Sequence, residues 1–255
     1  MRRLLPVPAE PSALADREWS LDELADAYAY PPGDGVWLRA NMVSSVDGAA
    51  SADGRSQPLS SAADMRVFGV LRALADVVVV GAETVRLEGY RPARVRAAFA
   101  ARRAAAGQSP APPVAVLSAS LDLDFSLPLF TAPAVPTLLL TGVQAPAERV
   151  AAARAAGVEV VVAGQGRGAD PAAAVTALAE RGHRRLLTEG GPSVLAGFAR
   201  AGVLDELCLT LAPRMVLGDA PRIMHGTAPL AEPLGLDLES VMEEAGFLFT
   251  RYRRF

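Results

Sequence analysis

The chain has 255 residues, 51% of them apolar and 21% charged, with a formal net charge of −3. That is enough apolar material for a sizeable core and too little charge for a disordered chain. It gives no bulk attraction to nucleic acid or anionic membrane, and no apolar run approaches the ~20 residues of a bilayer-spanning helix. One cysteine (Cys208), two histidines and no lysine exclude a cysteine-built zinc site, an internal disulfide, Schiff-base lysine chemistry and a P-loop lysine. Arg2 and Arg3 precede Pro6, Pro8 and Glu10, which interrupt any apolar stretch, so no signal peptide is expected. The reading is a cytoplasmic protein with no metal site, no nucleic-acid partner and no membrane partner.

Residues 1–35 read as an N-terminal extension. Within it Ser20-Leu-Asp-Glu23 is a capping box, predicting a short helix that ends near Tyr28, before Pro31-Pro32. The compact domain, 36–255, opens with VWLRANMVSSV, a strand ending at the hairpin-turn signal Asp47-Gly48. Met65, Phe68, Leu71 and Leu74 mark the inner face of a helix over 64–75. Val77–Val80 is a continuous apolar run, as in a strand covered on both faces. Residues 94–108 are helix-prone, an excursion closed by Pro110–Pro113. Strands then follow over 114–118 and 137–141. From there helices over 147–156, 171–181 and 192–201 alternate with strands over 158–162, 185–188 and 206–211, and FLFTRYRRF suggests a final strand. Single helices between strands predict an α/β fold, a mostly parallel central sheet with helices on both faces.

The strongest local feature is RRLLTEGGPSVLAGF. A strand ends at Thr188-Glu189, Gly190 and Gly191 follow, and Pro192 and Ser193 take the first two helical positions. Free N–H groups and the positive end of the helix dipole make such a start an anion cradle, and glycines admit a ligand close to the backbone; an ordinary tight turn would read the same way. Gly164-x-Gly166-x-x-Ala169, with Glu189 twenty residues beyond, mimics a dinucleotide fingerprint. It reads as a decoy, because Asp170-Pro171 starts the helix after the motif. In the N-terminal half, spacing alone leaves Asp47 as a turn residue, Arg72 on a helix surface and Thr84 as an N-cap.

Taken in order, NMVSSVDGAAS, LRALADVVVVGAETVRLEGYRP, LLTEGGPSVLAGF and VLDELCLTLAP resemble the riboflavin-biosynthesis pyrimidine reductases, the RibD C-terminal-domain family, with GYRP and the extension resembling its stand-alone actinobacterial branch. The resemblance implies a dihydrofolate-reductase-like fold. It also implies NADPH-dependent reduction of 5-amino-6-(5-phosphoribosylamino)uracil, a phosphorylated pyrimidine, with hydride attacking ribose C1′ of the opened imine. The zinc-deaminase signature of bifunctional members is not in this sequence. Carried over residue by residue, it puts Val43, Thr84, Glu88, Ser118 and Gly190, Gly191, Pro192, Ser193, Val194 and Leu195 on the cofactor. Ser56, Arg72, Arg94 and Glu189 fall on the substrate, with Asp47 and Glu189 as catalytic candidates. A pterin reductase of the same fold, and a nucleotide-binding protein without catalysis, are the rival readings. The family also implies a homodimer, and the aromatic, arginine-rich terminal strand is read as an edge available for it.

Overall fold

In the computed structural model, which describes residues 1–7, 16–226 and 229–254, the strands are β1 (Arg2–Leu5), β2 (Trp37–Ser45), β3 (Val77–Gly81), β4 (Val114–Leu117), β5 (Leu138–Thr141), β6 (Glu159–Val162), β7 (Arg185–Thr188), β8 (Glu206–Ala212), β9 (Asp237–Glu244) and β10 (Phe247–Arg253). The helices are α1 (Leu21–Ala27), α2 (Ala62–Leu74), α3 (Ala82–Leu87), α4 (Ala100–Ala105), α5 (Pro128–Thr131), α6 (Ala147–Ala155), α7 (Pro171–Glu180) and α8 (Pro192–Arg200). One sheet takes all these strands, in the order β1-β9-β10-β8-β2-β7-β3-β4-β5-β6. From β8 to β6 every neighbouring pair is parallel, and β1, β9, β10 and β8 are joined antiparallel.

Period-two alternation divides the core. Val77 and Val79 pack with Leu178, Leu195 and Phe198 of α7 and α8. Val78 points the other way, with Leu71 of α2 and Phe99. Helices cover both faces, as continuous apolar strands require. Among the described residues no helix is long and apolar enough to cross a membrane.

The structure corrects several expectations. The N-terminal extension carries its expected short helix, and its described parts are docked on the domain: β1 pairs with β9 at the sheet edge, and Leu24, Ala25 and Tyr28 of the α1 segment are buried in the core. The capping box forms in full, Glu23 N–H to Ser20 Oγ and Ser20 N–H to Glu23 Oε2. The inner face of α2 is centred on Val67, Val70, Leu71 and Leu74, and Met65 is exposed. The Asp47-Gly48 turn is tight, with Gly48 N–H on Ser45 O, but no hairpin strand returns from it into the sheet. The 94–108 segment is docked: Phe99 is buried, and the buried Arg103 guanidinium donates to the carbonyls of Ala73, Ala75 and Ser109. β10 is not an edge strand, because β9 and β8 flank it and its Phe247 and Phe249 lie in the core. Phe255, part of that interface argument, lies outside the described residues.

Candidate active site

The carboxyl ends of β2, β7, β3 and β4 lie side by side, where open α/β sheets take their ligands. β7 is registered between β2 and β3, with Thr188 opposite both Ala40 and Val79. The segment that follows it, Glu189-Gly190-Gly191, is therefore laid across the ends of two strands from the other half of the chain. Glu189 N–H bonds Val79 O at 3.0 Å and Gly81 N–H bonds Gly190 O at 2.8 Å.

The glycines are needed there. Gly190 sits at φ +77, with Met42 Sδ 3.2 Å from where a Cβ would stand. A Cβ on Gly191 would lie 2.8 Å from Thr84 Oγ1, and one on Gly81 would lie 2.9 Å from Val194 Cγ2. The Gly190–Gly191 peptide is cis. Gly191 caps α8 and Pro192 opens it. Ser193 and Val194 present the N–H groups that a first helical turn cannot use internally. Pro192 has none, and its carbonyl accepts from His225 N–H at 3.2 Å. The Leu195 N–H is already bonded to Gly191 O, and its side chain is buried. Pro192 and Leu195 thus have no N–H to offer a ligand, and the N–H groups at this helix start that remain are those of Gly191, Ser193 and Val194. Thr84, expected by spacing as an N-cap, is instead inside the first turn of α3, whose cap is Gly81.

Beside this cradle lies a three-residue cluster. Arg72, in the last turn of α2, grips Glu189 with both ends of its fork, Nε to Oε1 at 2.6 Å and Nη2 to Oε2 at 2.7 Å. Tyr90, beyond α3, accepts from Arg72 Nη2 at 2.7 Å and donates its hydroxyl to Glu189 Oε2. The Arg72 guanidinium also stacks on Phe68, 4.3 Å from its ring centroid. Burial works against the Arg72 charge, but Glu189 and the Tyr90 oxygen outweigh it and hold the guanidinium protonated. Burial, and then Glu189, push the Tyr90 phenol well above its ordinary range, so it stays a donor. Tyr90 was missed as a site residue: nothing in the spacing of GYRP aims a tyrosine at a carboxylate 99 residues away.

The other expected residues divide. Glu88 and Ser56 are brought together, Ser56 N–H donating to Glu88 Oε1 at 2.8 Å, so this carboxylate ties the loop before α2 to the end of α3. Val43 sits in β2 opposite Thr210, past the end of β7. Ser118, one residue beyond the Leu117 that pairs with Gly81, uses its Oγ to accept from Leu121 N–H at 2.9 Å. Asp47 has the turn role: its carboxylate accepts from the Ser45 hydroxyl and from the N–H groups of Val216 and Leu217. These bonds, that of Ser45 first, hold its pKa below the usual range, which makes it a clamp on the loop after β8 and a poor proton donor. Arg94 is exposed and is not drawn into the cluster. Arg96 comes nearer: its Nη1 would be 2.2 Å from a Cβ on Gly69, one turn before Arg72. A glycine inside a helix, which costs ~1 kcal/mol against alanine, was the available signal for that close approach.

The Gly164–Ala169 segment does not open a helix, since Asp170 caps α7 independently. Its carbonyls face protein, Gly164 O and Gly166 O accepting from Val143 and Gln144. The cavity beside it, about 880 Å³, carries Asp170 and Glu180 and no cationic side chain, the wrong charge for a phosphate. Among the described residues no group of His, Cys, Asp and Glu is arranged to hold a metal ion.

Comparison with known proteins bears on this arrangement. The RibD C-terminal domain family matches residues 36–245. The chain is 28% identical over 221 residues to a 2,5-diamino-6-ribosylamino-4(3H)-pyrimidinone 5′-phosphate reductase of Archaeoglobus fulgidus, spanning 86% of this chain and 99% of that one. It is 31% identical over 175 residues to a protein of the same name from Aquifex aeolicus, spanning 67% and 73%. Among solved structures, a pyrimidine reductase-like protein from Corynebacterium diphtheriae superposes with a TM-score of 0.80 at 30% identity, over 86% of this chain and 92% of that one.

Proposed function

The chain belongs to the RibD C-terminal domain family, and from that premise we propose that it reduces a 5-amino-6-ribosylaminopyrimidine 5′-phosphate with NADPH, at ribose C1′. The fold is dihydrofolate-reductase-like, a mixed sheet flanked by helices. The observation that carries the reading is the continuity of Glu189 with Gly190-Gly191. One carboxylate able to accept an N–H of a heterocycle is followed directly by a backbone cradle for a dinucleotide, so both ligands are held by a single junction.

The cradle fits a nicotinamide dinucleotide: positions 81 and 191 have no room for a Cβ, and the α8 amides and dipole suit a pyrophosphate. When bound, the dihydronicotinamide supplies the hydride that C1′ of the opened imine accepts, and the imine nitrogen takes up a proton. Gly191, Ser193 and Val194 bind the pyrophosphate, with Gly190, Pro192, Leu195 and Thr84 shaping the groove. Val43 backs the nicotinamide, and Ser118 lies toward the adenosine end. Glu189 holds the pyrimidine. Arg72, whose Nη1 is outside the grip on Glu189 and Tyr90, is available to the ribose phosphate, where a guanidinium makes charge-assisted bonds, and the exposed Arg94, outside the cluster, is a second cation for that phosphate only if it moves in on binding. Ser56 and Glu88 form the wall between the two ligands. The protein's share of the catalysis is to fix the two reacting carbons and exclude water.

The test is NADPH absorbance with purified protein, given in turn the 2,5-diaminopyrimidinone phosphate, the uracil phosphate and dihydrofolate. Oxidation with at least one pyrimidine phosphate and not with dihydrofolate is expected. Oxidation with dihydrofolate alone makes the protein a pterin reductase, and NADPH binding without turnover makes it a nucleotide-binding protein.

A further inference from the structure

Tyr90 has a consequence for which pyrimidine the site takes. A carboxylate has roughly four lone-pair directions, two on each oxygen. On Glu189, Oε2 accepts from both Arg72 Nη2 and the Tyr90 hydroxyl, and Oε1 accepts from Arg72 Nε. One acceptor direction is left, on Oε1. The Glu189 side chain is only 6% exposed, so the carboxylate cannot swing to water to change partners without breaking the Arg72 grip.

The two pyrimidines at issue differ at the edge such a group reads. A 2-amino-4(3H)-pyrimidinone presents its 2-amino group and the ring N3–H side by side, a pair of donors that a free carboxylate takes with both oxygens. At the same edge a uracil has a carbonyl at C2, so its N3–H stands alone between two carbonyls, and one acceptor suffices for it. We propose that Tyr90 is a specificity-determining residue. By filling the last acceptor position on Glu189 Oε2, it restricts Glu189 to one N–H and so selects the uracil phosphate over the 2-amino compound, which would be left with an unpaired donor in a buried site. A site built for one hydrogen-bonding pattern discriminates against another by leaving buried polar groups unpaired.

This rests on the reductase reading above, and the experiment separates the two. Wild type and Tyr90→Phe are assayed for NADPH oxidation with each pyrimidine phosphate, and kcat/KM is taken as a ratio, uracil over 2-amino. Wild type is expected to favour the uracil by roughly tenfold or more, the order of one misplaced hydrogen bond to a charged group. Tyr90→Phe keeps the ring and frees one lone pair of Oε2, and the ratio is expected to fall by about fivefold to tenfold on the same scale. Loss of packing alone would lower both kcat/KM values together and leave the ratio in place. A wild-type ratio at or below one, or a ratio unchanged in the variant, overturns the proposal while the reductase reading stands. No turnover of either compound by wild type overturns the reductase reading itself. Should Tyr90→Phe fail to fold, the wild-type ratio alone still decides.

Discussion

The most exacting test of the fold is Glu206→Gln. Glu206 is fully buried between two arginines that are themselves buried. Its Oε2 accepts from Arg39 Nη2 at 2.9 Å and from Trp37 Nε1 at 3.0 Å, and its Oε1 from Arg251 Nε at 2.8 Å. The arginines reach on to the end of α1, Arg39 Nη1 to Tyr28 O at 2.7 Å and Arg251 Nη1 to Ala27 O. Removing the one anion leaves two uncompensated buried cations, a change that costs about 3–5 kcal/mol in comparable sites. For a chain of this size each kcal/mol moves Tm by ~2–4 °C, so a fall of roughly 6–20 °C is expected by calorimetry. The acid limb gives an independent check. Burial alone would raise the Glu206 pKa, but Arg39 and Arg251 bring it from 4.5 down to about 2. A depressed carboxylate contributes stability that is complete above its unfolded pKa and is lost as pH falls through the folded one. Wild type should therefore lose on the order of 3 kcal/mol from this group across that window, and Glu206→Gln should show an acid limb flatter by that amount. A Tm change under about 2 °C, or identical acid limbs, would refute the reasoning.

Gly191→Ala, which drives a Cβ to 2.8 Å from Thr84 Oγ1, should raise KM for NADPH at least about tenfold, the order of one charge-assisted hydrogen bond, and leave KM for the pyrimidine near wild type. Arg72→Ala should do the reverse, raising the pyrimidine KM at least about tenfold with little change for NADPH; unchanged pyrimidine KM in a folded variant would remove Arg72 from the substrate site. Asp47→Asn should keep kcat far above the ~100-fold loss expected for a missing general acid, because the structure makes Asp47 a loop clamp. The dimer expected from the family resemblance cannot form by pairing at a β10 edge, because β9 and β8 occupy both edges, and the exposed Val46, Met215 and Leu217 gather beside that clamp. Light scattering at micromolar concentration should give twice the 26.5 kDa chain mass, and the mass of one chain would refute it.

Local signals carried most of the parallel half of the fold. The capping box at Ser20, the Asp170-Pro171 helix start and the valine run of β3 each act within a few residues, and each formed where the sequence pattern put it. What escaped was set by partners far along the chain. β9 (Asp237–Glu244) carries four carboxylates in eight residues and lacks the continuous apolar run of a covered strand; it becomes a strand because β1 and β10 hold it on either side. β1 is four residues long, too short for any periodicity to register. Met65 passed for a core residue because it keeps helical spacing with Phe68, and only the position of the sheet decides which of two adjacent stripes faces inward.

The site divides along the same line. Gly190-Gly191-Pro192 was legible because an anion cradle is a local object: a strand end, two small residues and a helix start. Its exactness of fit was not, because the atoms that forbid a Cβ there belong to Thr84, Met42 and Val194, brought in by the insertion of β7 between β2 and β3. That insertion is also why Arg72, Tyr90 and Glu189 meet. α2 leads from β2 to β3 and so crosses the gap that β7 fills, which sets the last turn of α2 over the first residue beyond β7. A sequence reading can nominate Arg72 and Glu189 separately, as it did here, and assign each to the ligand. It cannot foresee that they first bind each other, and that the number of acceptor positions Glu189 keeps for a substrate is decided by a tyrosine that neither motif contains.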